Sequence, residues 1–134
     1  MKGYKMMKRM MMLCAFAALC VSFCGCVSTP YPPPDRRVTI AENISGDIVI
    51  SDVRCTKGRS DHYTFQANVV NVTSHELWLD WKVVWLNAEG MEIDSIVNTW
   101  NSAAIAPKDI RALTGTAPHP EAVDMRFYVR RTIR

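Results

Sequence analysis

The chain has 134 residues, room for one domain, and its 49% hydrophobic and 22% charged content is that of a globular protein rather than a disordered tail. Its six glycines, at positions 3, 25, 46, 58, 90 and 115, are spaced too widely for a G-x-G-x-x-G turn or a P-loop, which excludes the standard nucleotide-cradling loops. The net charge of +3 belongs to the N-terminus: Lys2, Lys5, Lys8 and Arg9 are four of sixteen basic residues, leaving twelve against thirteen acids in the rest, and a near-neutral body argues against nucleic-acid binding.

Residues 1–9 form a positive leader, and residues 10–23 follow without a charge. A membrane-spanning helix needs about 20 apolar residues, so this run fits a signal-peptide core better than a membrane anchor. It ends in Phe23-Cys24-Gly25-Cys26, which resembles a bacterial lipoprotein signal: an apolar residue, two small ones, then the cysteine that takes the lipid. Cys26 is the expected lipidation site, because bulky Phe23 and Leu19 sit beside the cuts that Cys24 and Cys20 would need. Its thiolate supplies the nucleophile. Position 28 is Ser rather than the Asp that resembles an inner-membrane retention signal, so the expected address is the outer membrane, facing the periplasm. The alternative is a plain secretory signal cut nearby.

The expected organisation is a signal peptide at 1–25, a lipidated cysteine and tether at 26–37, and a folded domain at 38–134. The tether holds four prolines, at 30 and 32–34. Such a run favours polyproline II, at about 3.1 Å per residue, and suits a spacer between lipid and domain.

The body alternates with period two, which predicts antiparallel strands with one buried and one wet face. Tyr63, Phe65, Ala67 and Val69 share a face, as do Leu77, Leu79, Trp81, Val83 and Trp85. Near the end, Val123, Met125, Phe127 and Val129 oppose Asp124, Arg126, Tyr128 and Arg130. Residues 38–40, 48–54, 91–97 and 110–114 are weaker strand candidates. Asn87-Ala88-Glu89-Gly90 reads as a type I turn with a bulge joining two strands, and residues 71–76 as a polar turn. Six to eight short strands in this length predict an all-β, immunoglobulin-like antiparallel sandwich, with a small barrel as the alternative. The arginines at 126, 130, 131 and 134 are expected to be a solvated strand edge and tail.

After cleavage only Cys26 and Cys55 remain, so no internal disulfide framework is expected. Cys55 reads as a small buried apolar side chain. His62, His75 and His119 lack metal-ligand spacing, the serines lack a G-x-S-x-G setting, and Asp52, Asp61 and Asp80 read as surface salt links. No catalytic residue, metal or cofactor is expected. Of the four tryptophans, Trp81 and Trp85 are expected in the core. Trp78, on the opposite face beside Asp80 and Lys82, and Trp100, at the end of a strand, are the candidate contacts for a partner or ligand.

The stretch Val83-Val84-Trp85-Leu86-Asn87-Ala88-Glu89-Gly90-Met91-Glu92-Ile93 resembles the strand–turn–strand of the YcfL-type periplasmic lipoproteins. Asn71 before Leu77, Ile105-Ala106-Pro107, and Ala117-Pro118 before Arg126-Phe127-Tyr128-Val129 resemble that family's other turns and closing strands. Asn87 and Leu86 stand where Asp and Tyr are more usual. The resemblance covers roughly residues 60–130 and implies a lipid-anchored, immunoglobulin-like periplasmic domain with no assigned activity. The leading expectation is a non-enzymatic binding or accessory module for an envelope protein. The rivals are a small-ligand or glycan (peptidoglycan) binder and a hydrolase centred on Cys55 or a histidine.

Overall fold

The computed structural model describes residues 35–133. The signal peptide, Cys26 and most of the tether lie outside the described residues. The chain runs β1 (Val38–Ile40), a single 3-10 turn (Glu42–Ile44), β2 (Ile48–Lys57), β3 (Tyr63–Asn71), β4 (Leu77–Leu86), β5 (Asn101–Ile105), β6 (Ile110–Thr116) and β7 (Asp124–Arg131).

Two sheets face each other. One has four strands in the order β1-β7-β4-β5, the other three in the order β2-β3-β6. All pairs are antiparallel except β1 with β7, which is parallel. The architecture is an immunoglobulin-like sandwich. In its lettering β2, β3 and β6 take the places of strands A, B and E, and β4 and β7 those of C and F. The place of G beside F is taken by the N-terminal strand, which explains the parallel pair.

The period-two pattern dictates what fills the space between the sheets. Phe65, Ala67 and Val69 of β3 are wholly buried, as are Leu79 of β4 and Met125 and Phe127 of β7, and Leu77, Trp85 and Val129 nearly so. Phe65 and Phe127 meet across the sandwich with ring centres 4.8 Å apart, and Trp81 lies 6.1 Å from Phe127. Each of these side chains larger than alanine contributes about 1.5–3 kcal/mol through burial.

One buried polar side chain joins the sheets. Asn71, wholly buried at the end of β3, donates through Nδ2 to the carbonyls of His75 (2.8 Å), Ile105 (3.1 Å) and Ala106 (3.0 Å). Its Oδ1 accepts from the Thr73 main chain (2.9 Å) and hydroxyl (2.7 Å). The expected polar turn is therefore built around Asn71, and it ties β3 to the end of β5 in the other sheet. Nearby, Lys108 donates to the Val72 carbonyl and Arg111 to that of Ala104 (2.7 Å).

Three expectations need correction. Residues 91–97 are not a strand. The Asn87–Gly90 turn forms, with Gly90 at φ +78° and the Gly90 amide on the Asn87 carbonyl, but pairing stops at a bridge between Leu86 and Glu92 and a bond from the Ile93 amide to the Trp85 carbonyl. Asn98 then donates to the Ile93 carbonyl at 2.8 Å, which closes the segment into a loop. The strand that does pair with β4 is β5, so Trp100 precedes a strand instead of ending one. Finally, β7 lies between β1 and β4. Arg126 is exposed as expected, but Arg130 pairs with Asp80 at 3.5 Å and Arg131 with Asp47, so β7 is not a solvated edge.

Candidate functional site

The outer face of the four-stranded sheet collects the residues singled out by the sequence. Register places Asp80 of β4 between Arg130 of β7 and Ser102 of β5, and Lys82 beside Tyr128. Trp100 enters this face just ahead of β5, and Trp78 sits one step beyond Asp80 on the same side.

Asp80 is the fixed point. It is buried, and its Oδ1 accepts from the hydroxyls of Ser102 and Thr132, both at 2.8 Å, while Arg130 Nε lies 3.5 Å from Oδ2. These hydroxyl bonds, Ser102 first and then Thr132, hold its carboxyl below the usual range against the opposing effect of burial, with a smaller contribution from Arg130. Arg130, ion-paired with Asp80 but with its Nε making no hydrogen bond among the described residues, lays its guanidinium 3.9 Å from the centre of the Trp100 ring. Lys82 Nζ stands 5.1 Å from that ring and 5.2 Å from Tyr128. Each cation–π contact adds about 0.5–1 kcal/mol at an exposed site.

The result is a preorganised basic and aromatic patch. Trp100 remains 39% exposed and Trp78 40%, enough for both to contact a partner. The Trp78 indole donates to Glu76 Oε1 at 2.8 Å, which fixes its orientation. The structure thus brings Trp100 together with Lys82, Tyr128 and Arg130, and leaves Trp78 at the far end of the same face.

A second feature was not foreseen. β5 pairs with β4 only from Leu77 to Trp81, so further along β4 the edge of its sheet is uncovered and a gap opens towards β6. The gap is a cleft of about 440 Å³, within the range of binding pockets. Trp81, Val83 and Trp85 form its floor, Ile96 and Val97 one wall, and β6 from Thr114 to Thr116 the other. Trp85 is buried as expected, but Trp81 is only half-buried, because its inward position opens into this cleft. The wall residues Ile96 and Val97 are 91% and 43% exposed. The signal for this cleft is the missing strand at 91–97, which periodicity alone cannot reveal.

The remaining chemical candidates are dispersed. Cys55 is free and half-buried against the core, and burial pushes its thiol up, away from the thiolate a nucleophile requires. The His62 ring is hydrogen-bonded at Nδ1 to the Ala117 carbonyl at 2.8 Å. Asp52 pairs with Arg54 (2.7 Å) and Asp61 with Lys57 (2.6 Å). His75 and His119 are exposed. Among the described residues no three His, Cys, Asp or Glu side chains converge on a metal position.

The family model for proteins of unknown function DUF1425 matches residues 36–131. The chain belongs to the DUF1425 family. Two solved structures share the fold. One is Campylobacter jejuni cj0090, 15% identical, covering 73% of this chain and all of that one, with a TM-score of 0.63. The other is a DUF1425 family member from Shewanella sp. pv-4, 20% identical, covering 65% of this chain and 80% of that one, with a TM-score of 0.59. No curated protein matches. At these identities the likeness concerns the fold alone.

Proposed function

We propose that this DUF1425 domain is a lipoprotein of the YcfL type, anchored through Cys26 to the outer membrane on its periplasmic side, that binds another envelope protein and performs no chemistry. The observation that carries the reading is the outer face of the four-stranded sheet. Trp78 and Trp100 are half-exposed there, and the Arg130 guanidinium, ion-paired with buried Asp80, lies against the Trp100 ring. Side chains ordered before contact lose little entropy on binding, and tryptophan and arginine are the residue types that anchor protein interfaces. The raised thiol of Cys55 and the engaged ring of His62 support a binding role over a hydrolytic one.

Glycan stacking on Trp100 is the second reading. It is weakened by the guanidinium already lying 3.9 Å from the ring, which a sugar would have to displace. Photo-crosslinking groups placed at positions 78 and 100 in intact cells test the proposal. They should trap one discrete product that the same group at Gln66, on the other sheet, does not. An equal pattern from all three positions refutes the protein contact, and tryptophan fluorescence that saturates with peptidoglycan fragments favours the glycan. Radioactive palmitate should label the native chain and not Cys26→Ser; label on the variant refutes the anchor.

A further inference from the structure

The sandwich has four strand edges, and three of them are blunted. β1 is only three residues long. β2 carries a register shift between Ser51 and Arg54, with Asp52 at φ +54°, and exposes Asp52, Arg54 and Lys57. β5 is short, and its Ala104 carbonyl is taken by the Arg111 side chain. These are the devices by which natural sheets refuse a further strand.

β6 has none of them. Its seven residues, Ile-Arg-Ala-Leu-Thr-Gly-Thr, contain no proline, pair with β3 without a register shift, and carry a single charge at Arg111. Bonds from the Asn71 amide to the Asp109 carbonyl and from the Ala117 amide to the Tyr63 carbonyl set the phase of the β3–β6 ladder. In that phase residues 111, 113 and 115 bond to β3, and the main-chain groups of Ala112, Thr114 and Thr116 point outward. Among the described residues no main-chain or side-chain group pairs with them. This open edge is the β6 wall of the cleft floored by Trp81 and Val83.

We infer that β6 accepts an extended peptide segment of a protein partner as an added strand, whose alternate apolar side chains enter the cleft over Trp81 and Val83. Main-chain bonds to Ala112, Thr114 and Thr116 hold the segment, and the cleft selects its side chains. Charge selects its ends. The opposite wall belongs to the loop between β4 and β5, and residues 91–107 hold Glu92 and Asp94 but no Lys or Arg. Neither acid has a cationic partner among the described residues, so a segment with a basic N-terminal end, lying antiparallel to β6, complements that wall. A second copy of this chain does not fit the cleft. Its own β6 has Leu113 committed to its own core and offers only Arg111 and Gly115 beside it on the inward side.

The inference shares with the proposed function only the premise that the partner is a protein; it needs neither the lipid nor the Trp78 and Trp100 face. Crosslinking from those positions can therefore succeed or fail independently of the test here. The full chain in detergent solution is titrated with a blocked peptide of alternating threonine and valine led by lysine, followed by tryptophan fluorescence and calorimetry. Saturable binding is expected, weakened about tenfold or more in Thr114→Pro, whose proline removes an outward amide and leaves the β3 ladder intact. The same peptide with alternate amides methylated should fail to bind the unaltered chain, a control that needs no variant to fold. Replacing its lysine by glutamate should weaken binding several-fold. Absence of saturation, equal binding of the methylated peptide, or a chain dimer that Thr114→Pro dissociates would each overturn the inference.

Discussion

At one end of the sandwich Asn71 stitches the two sheets together; at the other, between Trp81 and Thr116, they stand apart. β3, β4 and β6 run through both regions, so the difference lies in β5 and in what crosses between the sheets. At the stitched end an amide reaches three carbonyls, two of them at the end of β5 and just beyond it, and Asn71 itself, Leu77 and Ile105 are sealed from water. At the parted end no strand continues β5 along β4, and the space is bordered by a loop that exposes Ile96. Stability is concentrated in the first region and accessible surface in the second.

The sharpest test of that contrast is Asn71→Ala. It leaves the buried Ile105 carbonyl and two part-buried ones without this donor, and unfolding by denaturant should show a loss of about 3 kcal/mol. A loss under 1 kcal/mol would mean that water replaces the amide and the end is not sealed. Next comes a matched pair. Val69→Ala in the sealed region should cost about 2 kcal/mol, and Val83→Ala on the cleft floor about 1, because an open site collapses or hydrates more readily. Equal costs would erase the distinction. At the turn leading to the parted end, Gly90→Ala places a side chain at φ +78° with open space around it, so strain alone should cost about 1 kcal/mol.

The smallest effect concerns Asp80, where the two regions meet, and it depends on pH. Its carboxyl is held below its ordinary value of 3.8, so its stabilisation is complete above that value and lost as pH falls through the lower folded one. Thermal unfolding of Asp80→Asn should therefore begin at lower temperature than the native chain at pH 7. The gap should close as the pH is brought below 3.8. A gap constant with pH would show that Asp80 acts through packing alone.

The sealed region was legible in the sequence because β3, β7 and β4 as far as Val83 alternate and are buried chiefly on one side, although Val84 and Leu86 are buried as well. The parted region was not. Residues 91–94 alternate as a strand should, but the period breaks at Ser95, and the Asn98 side chain takes the Ile93 carbonyl and turns the chain away. β5, reading Asn-Ser-Ala-Ala-Ile, has a single β-branched residue and is a strand only because β4 offers it a ladder. Trp100 was marked only by its polar neighbours Asn98 and Asn101, whereas Trp78 could be assigned to a wet surface from its phase, since Leu77 and Leu79 beside it are apolar. The clamp on Trp100 could not, because it depends on Arg130, thirty positions away, lying across β4 from it. Trp81 shows the limit of phase: it points inward as expected, but whether inward means buried is decided by the partner sheet.

Replacing the usual final strand by the N-terminal one has a mechanical consequence. The segment before β1 enters at Asp35, whose carboxylate grips the Arg37 guanidinium, and continues directly into the parallel ladder against β7. Tension drawn along that segment in the direction of the strand is met in shear: the rungs from Arg37 to Ala41 share the load and must give way together instead of peeling in turn. Any pull on the chain ahead of Asp35 is thus taken up by the three residues of β1 and their ladder to β7.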